Sequence, residues 1–197
     1  MSNPVAEVIE SSTRAFTAEV YREAEPPAFG AWVRVPHPSG IVLFGLVSHV
    51  EISSFEPNRR AVAFGLAEEE LRRERPQVLE LLRTTFRAQV VAYRDAAGRV
   101  RQTLPPQPAG VHGFVYPCAS DDVCALGAPY DYLRTLLRNP DPAVPVDDLL
   151  VAALGQIYAA HRGGPDGRQA LIDAGRALSR LLNDDHERLQ SVLRRAV

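Results

Sequence analysis

The sequence predicts an α+β protein: a small antiparallel β-barrel with a short helical insertion, followed by a helical C-terminal region. Over roughly the first 119 residues, short segments rich in β-branched and aromatic residues are separated by Pro, Gly and Ser, which is typical of strands and turns. From about residue 120 onward, apolar residues recur at three- and four-residue spacing, which indicates amphipathic helices. We therefore expect a barrel domain over residues 1–119 and a helical region over residues 120–197.

The first half of the barrel region contains two predicted hairpins. In VAEVIESSTRAFTAEVY we expect strands over residues 5–10 and 14–21, joined by a Ser/Thr turn. In FGAWVRVPHPSGIVLFGLVSHV, two prolines and a glycine interrupt two strands. Gly45 lies inside the second strand, where glycine often marks a bulge or a sharp bend. Short strands at spacings of about ten residues favour a closed barrel, because closure removes sheet edges.

The second half of this region is interrupted by a predicted helical insertion over residues 67–84. Pro76 is expected to divide it into two short helices, with Leu79 and Leu82 directed toward the core. FRAQVVAYRDAAGRVRQTL then predicts two strands around a DAAG turn, and VHGFVYP predicts the last strand. Before this last strand, LPPQP is expected to form a rigid loop. The alternative interpretation is a polyproline ligand for a partner.

The sequence pattern of the C-terminal region predicts five helices. Ser120 or Asp121 is expected to cap the first, and YDYLRTLLRN forms the second. VPVDDLLVAALGQIYAAH forms the third, with two aspartates in its first turn and GGPDG ending it. RQALIDAGRALSRLLN and DDHERLQSVLRRAV form the last two, and Asp184 is the expected cap of the final helix.

The charged residues limit the classes of function. The formal net charge is -2, and all 22 basic residues are arginine. A P-loop requires a lysine that contacts the phosphates, so nucleotide hydrolysis by this chain alone is not expected. The absence of an overall basic excess also argues against a dedicated nucleic-acid-binding protein.

No short motif predicts a catalytic or metal site. Cys118 and Cys124 lie too far apart for the usual zinc spacing, so we expect two small hydrophobic thiols. The five histidines form no HxH or HExxH pattern. The single tryptophan, Trp32, is expected in the core. We predict no enzyme activity and no cofactor. The alternative is an active site assembled from residues that are distant in sequence.

Two sets of residues are candidates for a partner surface. An arginine patch, Arg59, Arg60, Arg72 and Arg73, could contact an acidic partner, or it could be an ordinary solvated face. The apolar stripe Leu189, Val192 and Leu193 could serve a protein partner or self-association, or it could pack against the preceding helix.

The segment VAEVIESSTRAFTAEVY, together with Gly30 before AWVRV and Gly45 within LFGLVSHV, resembles the N-terminal barrel of HerA-type helicases and ATP synthase subunits, the HAS-barrel. RAQVVAYRD and LPPQPAGVHGFVYPCASDDV are similar to the closing strands of that family. The resemblance covers about residues 5–123, and helices stand where the helicases carry their ATPase domain. It implies a non-catalytic interaction or assembly module that docks on a larger ATPase or another complex.

A nucleic-acid-binding accessory protein is the alternative, because small barrels often bind single strands through a basic groove with aromatic residues. Such binding is expected to be weak. The N-terminal residues contain no basic start followed by an apolar run, and no apolar run is long enough to span a membrane. We therefore expect a cytoplasmic protein without a membrane partner.

Overall fold

The computed structural model describes residues 3–55, 62–75, 77–78 and 81–196. Within them, six antiparallel strands close a barrel in the order β1-β2-β5-β4-β3-β7, and β6 extends the edge of β5. The strands are β1 (Ala6–Ser11), β2 (Ala15–Val20), β3 (Trp32–Pro36), β4 (Val42–Ser54), β5 (Leu82–Arg94), β6 (Val100–Arg101) and β7 (Phe114–Pro117). The predicted α+β class with a small antiparallel barrel is thereby confirmed.

The turns of the barrel follow from the polar residues that the sequence places between strands. Ser12 joins β1 to β2, where its hydroxyl accepts from the amide of Ala15 at 3.1 Å. Asp95 orders the β5–β6 turn by accepting from the amides of Ala97 and Arg99. The register between β4 and β5 shifts at Gly45, which confirms the predicted bulge. A Cβ on Gly45 would lie 3.1 Å from Cβ of Ala88 on the neighbouring strand β5, so there is little room for a larger side chain at the bulge.

The helical insertion is shorter than predicted. Helix α1 (Glu68–Glu74) occupies its start, but Leu82 already belongs to β5 and pairs with Ser54 of β4. Pairing between two long strands has overridden the helical propensity of the leucine-rich end. Pro76 and Leu79 lie outside the described residues.

Five helices follow the barrel, and two of their caps differ from the prediction. They are α2 (Ser120–Ala125), α3 (Tyr132–Leu137), α4 (Val146–Ala160), α5 (Gly164–Leu181) and α6 (His186–Arg195). The cap of α2 is Ala119, whose amide donates to Asp122, and the cap of α6 is Asp185, which accepts from the amide of Arg188 at 3.1 Å. GGPDG does more than end α4, because α5 begins inside it with a proline in its first turn.

Two hydrophobic clusters hold the fold together. The first fills the barrel and includes Phe16, Val33, Leu43, Phe86 and Val115. The second lies between the outer wall of β3, β4 and β5 and the helices. On the barrel side it contains Trp32, Phe44, Leu46, Val91 and Ala92, and on the helical side Tyr132, Leu133, Leu150, Leu154, Ala174, Leu178 and Val192. The helical region therefore shares a core with the barrel.

Trp32 is at the centre of this second cluster. It is 4% exposed and meets Tyr132 edge-on, with ring centroids 5.3 Å apart, which confirms its predicted core position. Gly30 allows the close approach of α4, because a Cβ on it would lie only 2.3 Å from Cβ of Ala152. Its φ of +78° also favours glycine.

Polar contacts position the helices on the barrel wall. Buried Gln89 donates to Ser48 at 3.0 Å and accepts from Asn139 at 2.8 Å, so its amide is satisfied at both ends. Asp122 at the start of α2 contacts Arg34 at 3.3 Å and Arg94 at 2.9 Å. Among the described residues, no helix combines the length and the apolar content needed to cross a bilayer.

Candidate interaction surface

Strands β4 and β5 extend beyond the barrel at one end. Each has 13 residues, whereas their barrel neighbours are much shorter. The pairing of β3 with β4 stops at Leu46, and the pairing of β2 with β5 reaches no further than Thr85. Residues 50–54 and 82–84 therefore form a two-stranded extension, which we call the arm.

The two faces of the arm differ in polarity. Val50 pairs with Phe86, which points into the barrel, so Ile52 lies on the same face because side chains alternate along a strand. Glu51 and Arg83 lie on the opposite face. The apolar row of the barrel interior thus continues past the rim, where Ile52 is 68% exposed.

The segment that follows the arm adds further exposed apolar side chains. Of the eleven large hydrophobic residues that are exposed among the described residues, five lie between residues 52 and 66: Ile52, Phe55, Val62, Phe64 and Leu66. Phe55 is 61% exposed and Val62 is 71% exposed. The five residues are concentrated in one stretch of the sequence, whereas exposed apolar residues are ordinarily scattered singly. We call these five residues the apolar patch.

An open hollow of about 520 Å³ lies between the arm and the segment that leaves β2. Ile52 and Phe55 line one side of this hollow, and Tyr21 and Pro26 line the other. A second hollow, of about 700 Å³, continues from Tyr21 to Pro117. Two residues of the apolar patch, Ile52 and Phe55, therefore lie beside a concave surface.

A histidine and a carboxylate meet beside the second hollow. Nδ1 of His112 lies 2.5 Å from Glu7, and the hydroxyl of Tyr21 donates to the same carboxylate at 3.5 Å. Partial burial raises the pKa of Tyr21, and Glu7 adds to the rise. His112 has a φ of +66° and is largely exposed. The amide of His112 also donates to the carbonyl of Val8, so these contacts join the loop before β7 to β1.

Both cysteines are free and half-buried. Burial raises the pKa of the Cys118 thiol, and Asp122 adds to the rise, so the reactive thiolate is disfavoured. The thiol of Cys124 donates to the carbonyl of Ala160 at 3.7 Å. Within the described part of the chain, no three His, Cys, Asp or Glu side chains are grouped so as to hold a metal ion.

The structure separates the residues predicted to form a partner surface. Arg59 and Arg60 lie outside the described residues. Arg72 and Arg73 are exposed on α1, close in sequence to the apolar patch, and Arg73 forms an ion pair with Glu74 at 3.3 Å.

The apolar stripe of the last helix faces inward. Val192 is fully buried, and Leu189 and Leu193 pack half-buried against the same cluster. Arg188 bonds Asp147 at 2.7 Å, and Arg195 contacts Asp148, so α6 is held on α4. Val192 is therefore a core residue rather than a surface residue, because packing against the neighbouring helices covers this stripe.

Comparison of the chain with models of protein families gave no match, and comparison with curated proteins gave no match at a significant level. The resemblance to the HAS-barrel accordingly rests on the quoted residues alone. The apolar patch was missed at the sequence level, although the signal was present: IVLFGLVSHVEI predicts a strand much longer than the AWVRV strand beside it.

Proposed function

We propose that this chain is a non-catalytic interaction or assembly module, and that the apolar patch is its contact surface for a protein partner. The observation that carries the proposal is the arm, because its apolar face continues the barrel interior and leaves Ile52 68% exposed among the described residues. An exposed apolar concentration rimmed by charged residues is typical of protein–protein contact sites.

The charged residues around the patch give the surface a polar rim. Arg83 lies over the ring of Phe55 at 6.0 Å, and Arg75 lies over Phe64 at 4.9 Å. Arginine and aromatic residues are enriched where binding energy concentrates. The resemblance to the HAS-barrel, in which the barrel serves assembly, supports the same role and suggests a larger ATPase complex as the partner.

The experiment is quantitative affinity purification of the full chain and of two variants from the native cell. Ile52→Asp places a charge on the arm, and Ile172→Asp, at an exposed isoleucine of α5, is the matched control. We expect Ile52→Asp to reduce recovery of a specific partner at least tenfold and Ile172→Asp to leave it unchanged. Equal recovery with both variants would overturn the role of the patch.

A second candidate function, single-stranded nucleic-acid binding, is favoured by the same two arginine–aromatic pairs, because bases stack on such groups. The acidic residues beside them, Glu19 paired with Arg83 at 3.7 Å and Glu51 on the arm, weaken it. A labelled oligonucleotide separates the two functions. We expect at most weak binding that is lost between about 50 and 200 mM salt; binding that persists at the higher salt would favour nucleic acid as the partner.

A further inference from the structure

The second hollow is the mouth of the barrel, at the end from which the arm extends. Strands β1 and β3 begin at this end, and β2 and β7 finish there. The hollow is lined by residues at those four strand ends: Val5, Tyr21, Ala31 and Pro117. Val5 and Ala31 also pack half-buried against the cluster that fills the barrel, so they form the floor of the mouth. Barrel mouths are favoured positions for ligand sites, and about 700 Å³ is an ordinary volume for one.

The charged groups around the mouth are carboxylates. Glu23 and Glu25, in the segment between β2 and β3, line it, and no arginine or histidine of the described residues does. Both glutamates are exposed, and neither has an ion-pair partner within the described part of the chain. Two uncompensated negative charges at a concave surface attract a cationic ligand.

Two aromatic residues add binding groups of other kinds. Tyr21 lines the mouth half-buried, and the face of an aromatic ring attracts a cation. Trp32 also lines it, is 4% exposed, and has an indole N–H without a hydrogen-bond partner among the described residues. A buried N–H group without an acceptor is uncommon in proteins, and a main-chain carbonyl of a ligand is an acceptor of the right kind.

The shape of the mouth favours a peptide over a small molecule. Small-molecule sites enclose most of the surface of their ligand, whereas this hollow is open to solvent. A peptide chain can pass across an open hollow and place one side chain on its floor. The ligand that matches both shape and charge is therefore a peptide segment with a cationic side chain.

We propose that the barrel mouth binds an extended peptide segment that carries an arginine side chain. The guanidinium pairs with the carboxylates of Glu23 and Glu25, because its fork of donors matches carboxylate oxygens, and it stacks on the ring of Tyr21. The aliphatic stem of the arginine covers the apolar floor formed by Val5 and Ala31. A lysine ammonium has no planar fork, so arginine is the preferred cation.

This inference goes beyond the proposed function, because no residue of the apolar patch lines the mouth. The two surfaces can therefore be tested separately. A chain that binds an arginine peptide, but whose Ile52→Asp variant recovers its partner normally, would retain the mouth as a site and exclude the patch. A chain that loses its partner through Ile52→Asp, but binds no arginine peptide, would retain the patch and exclude the mouth.

The test is a titration of the purified full chain into a fluorescein-labelled peptide with one arginine flanked by alanine and proline, followed by fluorescence anisotropy. A matched peptide carries citrulline, which keeps the shape of the side chain and removes its charge, and a third carries lysine. We expect the arginine peptide to bind about tenfold more tightly than the citrulline peptide, and more tightly than the lysine peptide. Equal affinity for the arginine and citrulline peptides, or no saturable binding, would overturn the inference, and equal affinity for lysine would overturn the assignment to arginine.

Charge-neutral variants then locate the binding. The double variant Glu23→Gln and Glu25→Gln should weaken binding of the arginine peptide about tenfold and leave the citrulline peptide unaffected. Glu10→Gln is the matched control, because Glu10 is an exposed carboxylate toward the far end of β1. A loss with Glu10→Gln as large as that of the double variant would show a general effect of net charge and contradict the site.

The intrinsic fluorescence of Trp32 gives a second readout of position. Trp32 is the single tryptophan of the chain, so an unlabelled peptide without tryptophan can be used. We expect saturation with the arginine peptide to change the Trp32 emission, because the peptide supplies the acceptor that the indole N–H lacks. Emission that stays unchanged at saturation would place the bound peptide outside the mouth.

Discussion

The helix-covered wall of the barrel and the arm are built from the same two strands, yet their apolar residues have opposite surroundings. Leu46 and Val91 are fully buried under the helices, whereas Ile52, six residues further along β4 than Leu46, is 68% exposed. The difference arises from the lengths of the neighbouring elements. Leu46 lies on the outer face of β4, which the helices cover. Ile52 lies on the face that continues the barrel interior, and that face is exposed where β2 and β3 end.

The first prediction disrupts the packing of α4 against the barrel. Gly30→Ala places a methyl group against Ala152 at a position whose φ is +78°. The conformational strain and the overlap together should lower the free energy of unfolding by about 3 kcal/mol or more. Urea denaturation followed by circular dichroism measures it.

Gly98→Ala is the matched control for this change. Gly98 has a similar φ of +82°, but nothing lies within 4 Å of its added Cβ. Only the conformational strain remains there, so the expected loss is about 1–2 kcal/mol. Equal losses for the two variants would show that α4 does not approach the barrel at Gly30.

The second prediction compares the two regions directly. Leu154→Ala removes a fully buried side chain of α4 and should cost about 3 kcal/mol of unfolding free energy, because transfer and cavity terms add. Ile52→Ala on the arm should cost less than about 0.5 kcal/mol, because the side chain is already in water. The measurement is again urea denaturation, and a loss above 2 kcal/mol for Ile52→Ala would mean that the arm is covered.

The fold class was predictable because local signals and the final packing agree. The Ser/Thr turn before Ala15, the bulge at Gly45 and the DAAG turn at Asp95 all depend on residues within a few positions of one another. The helical boundaries were less predictable. Asp184 and Asp185 are equivalent as caps by sequence, and only the course of the chain after α5 decides for Asp185.

The candidate surface was less predictable than the fold. Exposure of Ile52 depends on where β2 and β3 end, and burial of Val192 depends on how α6 lies on α4 and α5. Both are properties of distant elements, whereas the helical stripe and the strand alternation are local. A periodic pattern identifies the apolar face of an element, but it does not identify what covers that face.

The third prediction concerns a buried hydrogen bond between the helices and the barrel wall. Asn139→Ala removes the donor to Oε1 of Gln89, which is 4% exposed, and leaves a buried acceptor unsatisfied. We expect a loss of about 2 kcal/mol in unfolding free energy. Gln89→Leu in the same chain removes the unsatisfied group, so the double variant should be more stable than the sum of both losses predicts. Strict additivity would contradict this explanation.

The last prediction concerns the pH dependence of stability, because the pKa of an ionisable group depends on how completely the helices bury it. Cys118 packs against the second cluster, and burial raises its pKa above the ordinary thiol value. Burial likewise raises the pKa values of Tyr130 and Tyr132, which belong to that cluster. In the unfolded chain these groups lose their protons at ordinary values, about 9 for a thiol and 10 for a phenol.

Since the folded pKa is the higher one, the stabilisation is complete below the unfolded pKa and is lost as pH rises toward the folded pKa. Each group therefore contributes a fall of up to about 1.4 kcal/mol per pH unit in unfolding free energy above that point. Cys118→Ala should make the fall between about pH 9 and 11 shallower by that amount. Val123→Ala, a buried neighbour without a titrating group, should lower the stability while leaving the slope unchanged. The measurement is urea denaturation across this pH range with a reductant present. Identical slopes of unfolding free energy against pH for the wild type and Cys118→Ala would mean that water reaches the thiol. The helices would then cover this part of the barrel no better than the arm is covered.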